Sequence, residues 1–136
     1  KKIMVFGTFD GLHPGHFNFF RQARGLAPRA LLIVSVARDE NVKRIKNKKP
    51  KLSEKSRMTL VRNTGLADSI VLSGRRAHIP HIVRARPDII ALGYDQKDYV
   101  KNLKKDLKRR GLLVKIVRLK PYKAHIYKNA LLRPRK

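Results

Sequence analysis

Five short apolar runs, separated by stretches of helical spacing, restrict this chain more than any other feature. The runs are KIMVF (2–6), ALLIVSVA (30–37), DSIVLSG (68–74), DIIALG (88–93) and LLVKIVRL (112–119). The second is apolar at successive positions, so it has no polar face to turn to water. Strands buried on both sides belong to parallel sheets, and parallel strands need helical crossovers. Alternation of this kind predicts an α/β fold, a parallel sheet with helices on both faces. In such sheets ligands sit beyond the carboxyl ends of the strands.

The connecting segments carry their own boundaries. Pro14 suits a first helical position, Phe17, Phe20 and Ala23 recur at helical spacing, and Gly25 is placed to end the helix. The stretch NVKRIKNKKPKL (41–52) is basic and aperiodic and reads as a loop. Ser53 can cap a helix running to about Asn63, with Glu54 in its first turn and Gly65 beyond its end. A short helix is expected over 79–86, stopped before Pro87. Asp98 is expected to cap another, with Tyr99, Leu103 and Leu107 on one face and Gly111 at its end. From about 120 to 136 the chain reads as irregular or partly helical. No repeat or linker divides the 136 residues, so one domain over 1–136 is expected.

Composition narrows the partners. Cysteine is absent, which excludes disulfides and thiolate metal sites. No apolar run approaches the length of a membrane span, and no signal peptide is visible, so no membrane is expected and a cytoplasmic setting is the default. With 34 Lys+Arg against 9 Asp+Glu, the chain carries +25 and attracts anions. That charge runs along the whole chain, which favours a solvated basic surface over dedicated nucleic-acid binding, although charge alone leaves nucleic acid open.

Residues 7–16, GTFDGLHPGH, follow the first run and open the first helix. A helix N-terminus presents unpaired N–H groups and partial positive charge, which suits phosphate. Gly7, Gly11 and Gly15 are read as allowing close approach of a ligand to the backbone. His13 and His16 lie about one turn apart and can face the same phosphate group. Imidazoles donate hydrogen bonds to phosphoryl oxygens without the bulk of arginine. Surface histidines at a helix start are the bland alternative, which the ten-residue cluster disfavours.

This stretch resembles the GTFD-x-x-H-x-GH signature of the cytidylyltransferase-like nucleotidyltransferases. VARDENVKRIKNKKP, the helix with Arg57, and PDIIALGYDQ are most similar to archaeal-type FAD synthases. The resemblance implies a single Rossmann-like domain with five parallel strands ordered 3-2-1-4-5. It implies transfer of AMP from ATP to FMN, giving FAD and pyrophosphate, with Mg2+ or another divalent cation. Cytidyl transfer to a phosphorylated alcohol such as glycerol 3-phosphate is the nearest alternative, and a non-catalytic basic RNA-binding module on the same fold is a second. Pairing into a homodimer is compatible with the resemblance. The chain differs from those relatives in lacking cysteine and in its last stretch, HIYKNALLRPRK (125–136).

The resemblance also implies roles. His13 and His16 would contact the α- and β-phosphates, with Lys43 and Lys46 reaching substrate phosphates as catalytic partners. Thr8 would donate to phosphate, Phe9 would contribute backbone and shape, and Pro14 and Gly15 would fix the start of the helix. Asp10 is expected to hydrogen-bond the turn rather than bind metal. Arg57 would contact phosphate, the alternative being a surface helix arginine. Gly93 would admit the nucleoside, Asp95 would accept hydrogen bonds from ribose or an exocyclic amine, and Tyr122 would cover the adenine.

Overall fold

The computed structural model describes residues 1–74, 78–94, 96 and 102–121. In chain order these form β1 (Lys2–Gly7), α1 (Pro14–Arg24), β2 (Leu31–Val36), α2 (Asp39–Lys46), α3 (Glu54–Asn63), β3 (Ser69–Leu72), α4 (His78–Ala85), β4 (Ile89–Leu92), α5 (Leu103–Arg109) and β5 (Lys115–Arg118). The strands make one sheet in the order β3-β2-β1-β4-β5, every neighbouring pair parallel. The chain therefore has the α/β architecture and strand order expected from its sequence.

Burial explains why the sheet sits in the middle. Ile3, Met4 and Val5 of β1 are completely buried, and so are Leu32, Val34 and Val36 of β2. Alternate residues serve opposite faces. Ile3, Val5, Leu32 and Val34 pack with Phe20 and Ala23 of α1 and Val61 of α3. Met4, Phe6, Ile33, Ile90 and Leu92 pack with Ile82 of α4 and Leu103 and Leu107 of α5. Each large side chain buried this way contributes about 1.5–3 kcal/mol of transfer free energy.

Three expectations need correction. The basic stretch after β2 is not all loop, because Asp39–Lys46 is helical. Asp39 and Glu40 sit in the first turn, where they complement the helix dipole, and Asn47 stops the helix in a left-handed conformation. A narrow inner side suffices here: Val42 and Asn41 are buried, and Asn41 Nδ2 donates to the Gly74 carbonyl at 2.8 Å. Lys43 and Arg44, both exposed, obscure that narrow buried side in the sequence. The last helix begins at Leu103, after Asn102 in a left-handed conformation, so Asp98 and Tyr99 precede it and lie outside the described residues. Leu103 and Leu107 are buried as expected, and Gly111 follows the helix. The fifth strand is also shorter than its apolar run, its ladder with β4 running from Ile89↔Lys115 to Leu92↔Arg118. Among the described residues, no helix is long and apolar enough to cross a membrane.

Candidate functional site

The chain leaves β1 at Gly7 and turns before α1. A Cβ on Gly7 would fall 2.5 Å from the Phe9 ring, so glycine here makes room for the chain's own aromatic side chain. Phe9 is buried with φ 56°, a left-handed conformation that a bulky residue adopts only when its surroundings enforce it. The enforcement is visible: its ring lies 5.4 Å from Phe20 and edge-on to His16 at 5.7 Å. A core phenylalanine thus carries the corner on which His16 rests.

Both histidines cap α1. His13 is the N-cap residue, and its Nδ1 accepts the Gly15 N–H at 3.0 Å. His16 Nδ1 accepts the His13 N–H at 3.2 Å. This is the reciprocal arrangement usually made by serine or threonine with glutamate, built here from two imidazoles. It has a chemical consequence. A neutral imidazole whose Nδ1 accepts must carry its proton on Nε2. The caps therefore set both rings as Nε2–H donors, with ring centroids 4.0 Å apart. Burial lowers the His13 pKa below its ordinary value, and burial together with the charge of His13 lowers that of His16 to about 4. Both rings are neutral at pH 7.

Gly15 belongs to the same device. Its Cβ would sit 2.6 Å from Cε1 and 2.9 Å from Nδ1 of His13. The expectation that Gly7 and Gly15 are small to admit a ligand is corrected, since the protein's own rings take the space at both. Pro14 is exposed and occupies the first helical position.

The Arg57 expectation also changes. Its side chain is neither a surface arginine nor turned outward, being 0% exposed. Nε donates to the Leu52 carbonyl at 3.1 Å, Nη1 to the Thr8 carbonyl at 2.8 Å and Nη2 to Asp39 Oδ1 at 2.6 Å. A guanidinium fork with a donor on each nitrogen can hold three segments at once, which a lysine could not do. Asp39 and Glu54 complete the knot: the Asp39 N–H donates to Glu54 Oε1 at 2.9 Å, and the Glu54 N–H to Asp39 Oδ2 at 3.3 Å. Asp10 grips the same loop by accepting the N–H groups of Lys51 at 2.7 Å and Leu52 at 2.8 Å. Burial works against the ionised form of Asp10, but these two bonds and the charges of Arg57 and Lys51 outweigh it and lower its pKa. Thr8, whose carbonyl Arg57 holds, is half-buried at the same corner. Lys43 stands exposed on α2, and Lys46 is the last residue of that helix.

β4 delivers the other side of the site, because it pairs with β1 through Ile3↔Ile89 and Met4↔Ile90. The Gly93 N–H donates to Gln96 Oε1 at 2.8 Å, and Gln96 Nε2 donates to the Phe6 carbonyl at 2.9 Å. Arg118 Nη1 donates to the carbonyls of Gly93 at 2.8 Å and Gln96 at 2.6 Å. Gly93 is buried at the centre of this turn. Asp95 and Tyr122 lie outside the described residues. The fold brings the corner at 8–16, the loop before α3 and the turn after β4 to one edge of the sheet. Three contributors escaped the sequence reading: Asp39, Gln96 and Arg118. Gln96 closes a stretch that drew attention, while Arg118 is one cation among 34 Lys+Arg.

No three His, Asp or Glu residues converge as a metal cage among the described residues. The carboxylates nearest the corner, Asp10 and Asp39, are already engaged by backbone N–H groups and Arg57. They do not fit a preformed divalent-cation site.

Known proteins share the sequence and fold of this chain. The Cytidylyltransferase-like family model matches residues 4–131. An FAD synthase of Korarchaeum cryptofilum is 45% identical over 88% of this chain and 81% of its own. An FAD synthase of Methanosarcina barkeri is 43% identical over 87% of this chain and 82% of its own. Among solved structures, a lipopolysaccharide core biosynthesis protein from Thermoplasma volcanium superposes with a TM-score of 0.82 at 34% identity, covering 90% of this chain and 98% of that one. Matched in sequence over almost all its length and sharing the fold at that TM-score, the chain belongs to the cytidylyltransferase-like family.

Proposed function

We infer that this chain is an FMN adenylyltransferase, joining ATP and FMN into FAD with release of pyrophosphate. Relatives called FAD synthase at 39–45% identity support the reaction. The observation that carries the site is the paired-imidazole cap, which aims two neutral Nε2–H donors from a helix N-terminus.

The chemistry suits those donors. An FMN phosphate oxygen attacks the α-phosphorus of ATP, a P–O bond forms, and the bond to the bridging oxygen breaks as pyrophosphate departs. The attacking phosphate monoester is already anionic near pH 7, so no general base is required. Alignment and stabilisation of charge on the five-coordinate phosphorus are required. In this reading His13 and His16 donate to the α- and β-phosphate oxygens, and Thr8 adds its hydroxyl or N–H. Lys43 and Lys46 approach the departing phosphates from α2. Pro14 and Gly15 set the start of the helix, and Gly15 leaves His13 in place. Gly93 and Asp95 contact the nucleoside, and Tyr122 covers the adenine. Arg57 acts indirectly, by fixing Thr8 and the loop before α3.

A divalent cation such as Mg2+ neutralises triphosphate charge when bound. With the nearby carboxylates occupied, it would be held by substrate phosphates and water, its usual partners in such sites. A cytoplasmic setting, where both substrates are made, goes with this reading.

Incubation with ATP, FMN and Mg2+, followed by chromatographic separation of flavins and a pyrophosphate assay, tests it. FAD and pyrophosphate in equal amounts are expected. Folded protein that makes no FAD but turns over CTP with glycerol 3-phosphate would refute it.

A further inference from the structure

Along the carboxyl edge of the sheet, Arg57, Arg118 and Arg38 each grip backbone carbonyls, and they differ in what the guanidinium has left to offer. Arg57 commits all three nitrogens to Leu52, Thr8 and Asp39. Arg118 ties down the turn after β4, on the β4–β5 side of the edge. Arg38 stands on the other side, two residues past β2, and no step described so far uses it.

The stem of Arg38 is fixed. The residue is half-buried, its Nε donates to the Ser73 carbonyl at 2.6 Å, and its backbone N–H donates to the Ser73 hydroxyl at 3.3 Å. Buried Asn41 reinforces the same junction through the Gly74 carbonyl at 2.8 Å. The two terminal nitrogens of Arg38 bond none of the described residues, and no described carboxylate pairs with it. Asp39, next in the chain, is taken by Arg57. A moored guanidinium with an open fork is preorganised for recognition, because less side-chain freedom is lost when a ligand arrives. Charge alone does not single it out, since 34 Lys+Arg share it. Its mooring, half-burial and place do.

Place decides the ligand. The Ala37 N–H donates to the Gly7 carbonyl at 2.9 Å, so the chain enters Arg38 beside the end of β1, where the histidine corner begins. Ser73 lies past β3, two strands from β1, roughly 10 Å across the sheet. In the proposed reaction the nucleoside lies over β4 and the reacting phosphates lie at the histidines. The ends of β2 and β3 are then left for the organic part of the acceptor. FMN carries its flat ring on a ribityl chain that bridges a gap of this order. One edge of the ring presents a carbonyl oxygen beside an unprotonated nitrogen, two acceptors side by side, and an arginine fork offers parallel N–H donors to match.

We propose that Arg38 recognises the acceptor: with Nε held by Ser73, its terminal fork donates to the carbonyl-and-imine edge of the FMN ring. This rests on the adenylyl-transfer reading above and names the group that selects the acceptor. The phosphate of FMN must reach the α-phosphorus at the histidine corner, which leaves the ring for Arg38. Lys46 closes the 8-residue helix that Arg38 opens, about 12 Å on, so phosphates and ring are served from opposite ends of α2.

Steady-state kinetics with FMN and ATP varied in turn, and with riboflavin as a competitor of FMN, test the proposal. Riboflavin carries the ring without the phosphate. Arg38→Met should raise KM for FMN roughly 10- to 100-fold and the riboflavin inhibition constant by the same factor, with KM for ATP near wild type. Arg38→Lys should not restore affinity, because an ammonium is a point donor without the fork. A rise in KM for FMN with the riboflavin constant unchanged, or full rescue by lysine, would put Arg38 on the phosphate and overturn the proposal. An unchanged KM for FMN would overturn it too. So would a joint rise of both KM values with a fall in melting temperature, since Arg38 would then only moor α2. Wild-type protein that makes no FAD would sink the reaction itself. Riboflavin binding, followed by quenching of flavin fluorescence, then judges the ring contact separately, and equal binding by wild type and Arg38→Met would refute it.

Discussion

Replacing Gly15 with alanine separates the fold of the histidine corner from its chemistry. The new Cβ would lie 2.6 Å from Cε1 of His13, well inside contact distance, and the backbone there is locked into the first turn of α1. The ring is the part that can yield, so it swings off the Gly15 N–H and the cap bond is lost. Losing a cap costs about 1 kcal/mol. Alanine in place of glycine returns up to about 1 kcal/mol through helix propensity. Stability should therefore change by less than about 1 kcal/mol, which for a chain of this size moves the melting temperature by no more than about 4 °C. Activity should respond far more. With Nδ1 unpartnered, His13 keeps neither its tautomer nor its aim, and removing one preorganised donor costs about 10²–10³ in rate. Calorimetry and steady-state FAD formation on the same preparation measure both quantities. Undiminished kcat would show that the aim of His13 is immaterial. A large fall in melting temperature would show that the cap chiefly holds the fold together.

Three further outcomes follow from the same geometry. His16 titrates near 4 when folded and 6.5 when unfolded, so the unfolded chain takes up the proton first and stability falls as pH drops from about 6.5 to 4. Urea unfolding across that window should reveal a loss of up to ~3 kcal/mol before allowing for the ring's partial exposure, and His16→Gln should flatten it. Asp10 and Asp68, whose pKa values are lowered from 3.8, contribute stability that disappears only at still lower pH, so the two effects separate. Arg57→Ala removes a fully buried partner of Asp39, which is itself 43% exposed, so a loss near 3 kcal/mol is expected in urea titration, at the low end for broken buried pairs. Arg118→Ala frees the carbonyls of Gly93 and Gln96, and bonds from a charged donor are worth about 1.5–3 kcal/mol each. KM for ATP should rise while that for FMN stays nearly constant, as initial-rate measurements would show.

The central strands are legible because β1, β2 and β4 are runs of mostly buried apolar residues, while β3 and β5, at the edges, are marked by shorter apolar centres beside exposed Ser69, Lys115 and Arg118. Helix starts at Pro14 and Ser53 were legible because each carries its own local chemistry, a missing N–H at one and a capping hydroxyl at the other. The start of α5 was not, because Asn102 enters it in a left-handed conformation with no side-chain cap to announce it. The helix 39–46 was hidden for a different reason. Much of its anchoring is polar and tertiary, through Asn41 to Gly74 and Asp39 to Arg57, and no pattern within eight residues encodes partners 33 and 18 positions away.

The site divides along the same line. His13 and His16 stood out because spacing alone puts them on one turn, yet the direction of their bonds was invisible. That the rings cap their own helix through Nδ1, and so carry their protons on Nε2, depends on backbone angles at His13 that no sequence spacing specifies. Gly15 was recognised as necessary for a reason the structure reverses: its missing Cβ accommodates an imidazole of the chain itself. The family resemblance implies a phosphate contact for Arg57, the alternative being a surface helix arginine. Its burial follows instead from three acceptors, Thr8, Asp39 and Leu52, that meet only after α2, α3 and the β1 corner have packed. The paired histidines announce themselves in a short motif, since both belong to one helix start. The groups that hold those donors still are gathered from across the chain, so their roles emerge only with the fold.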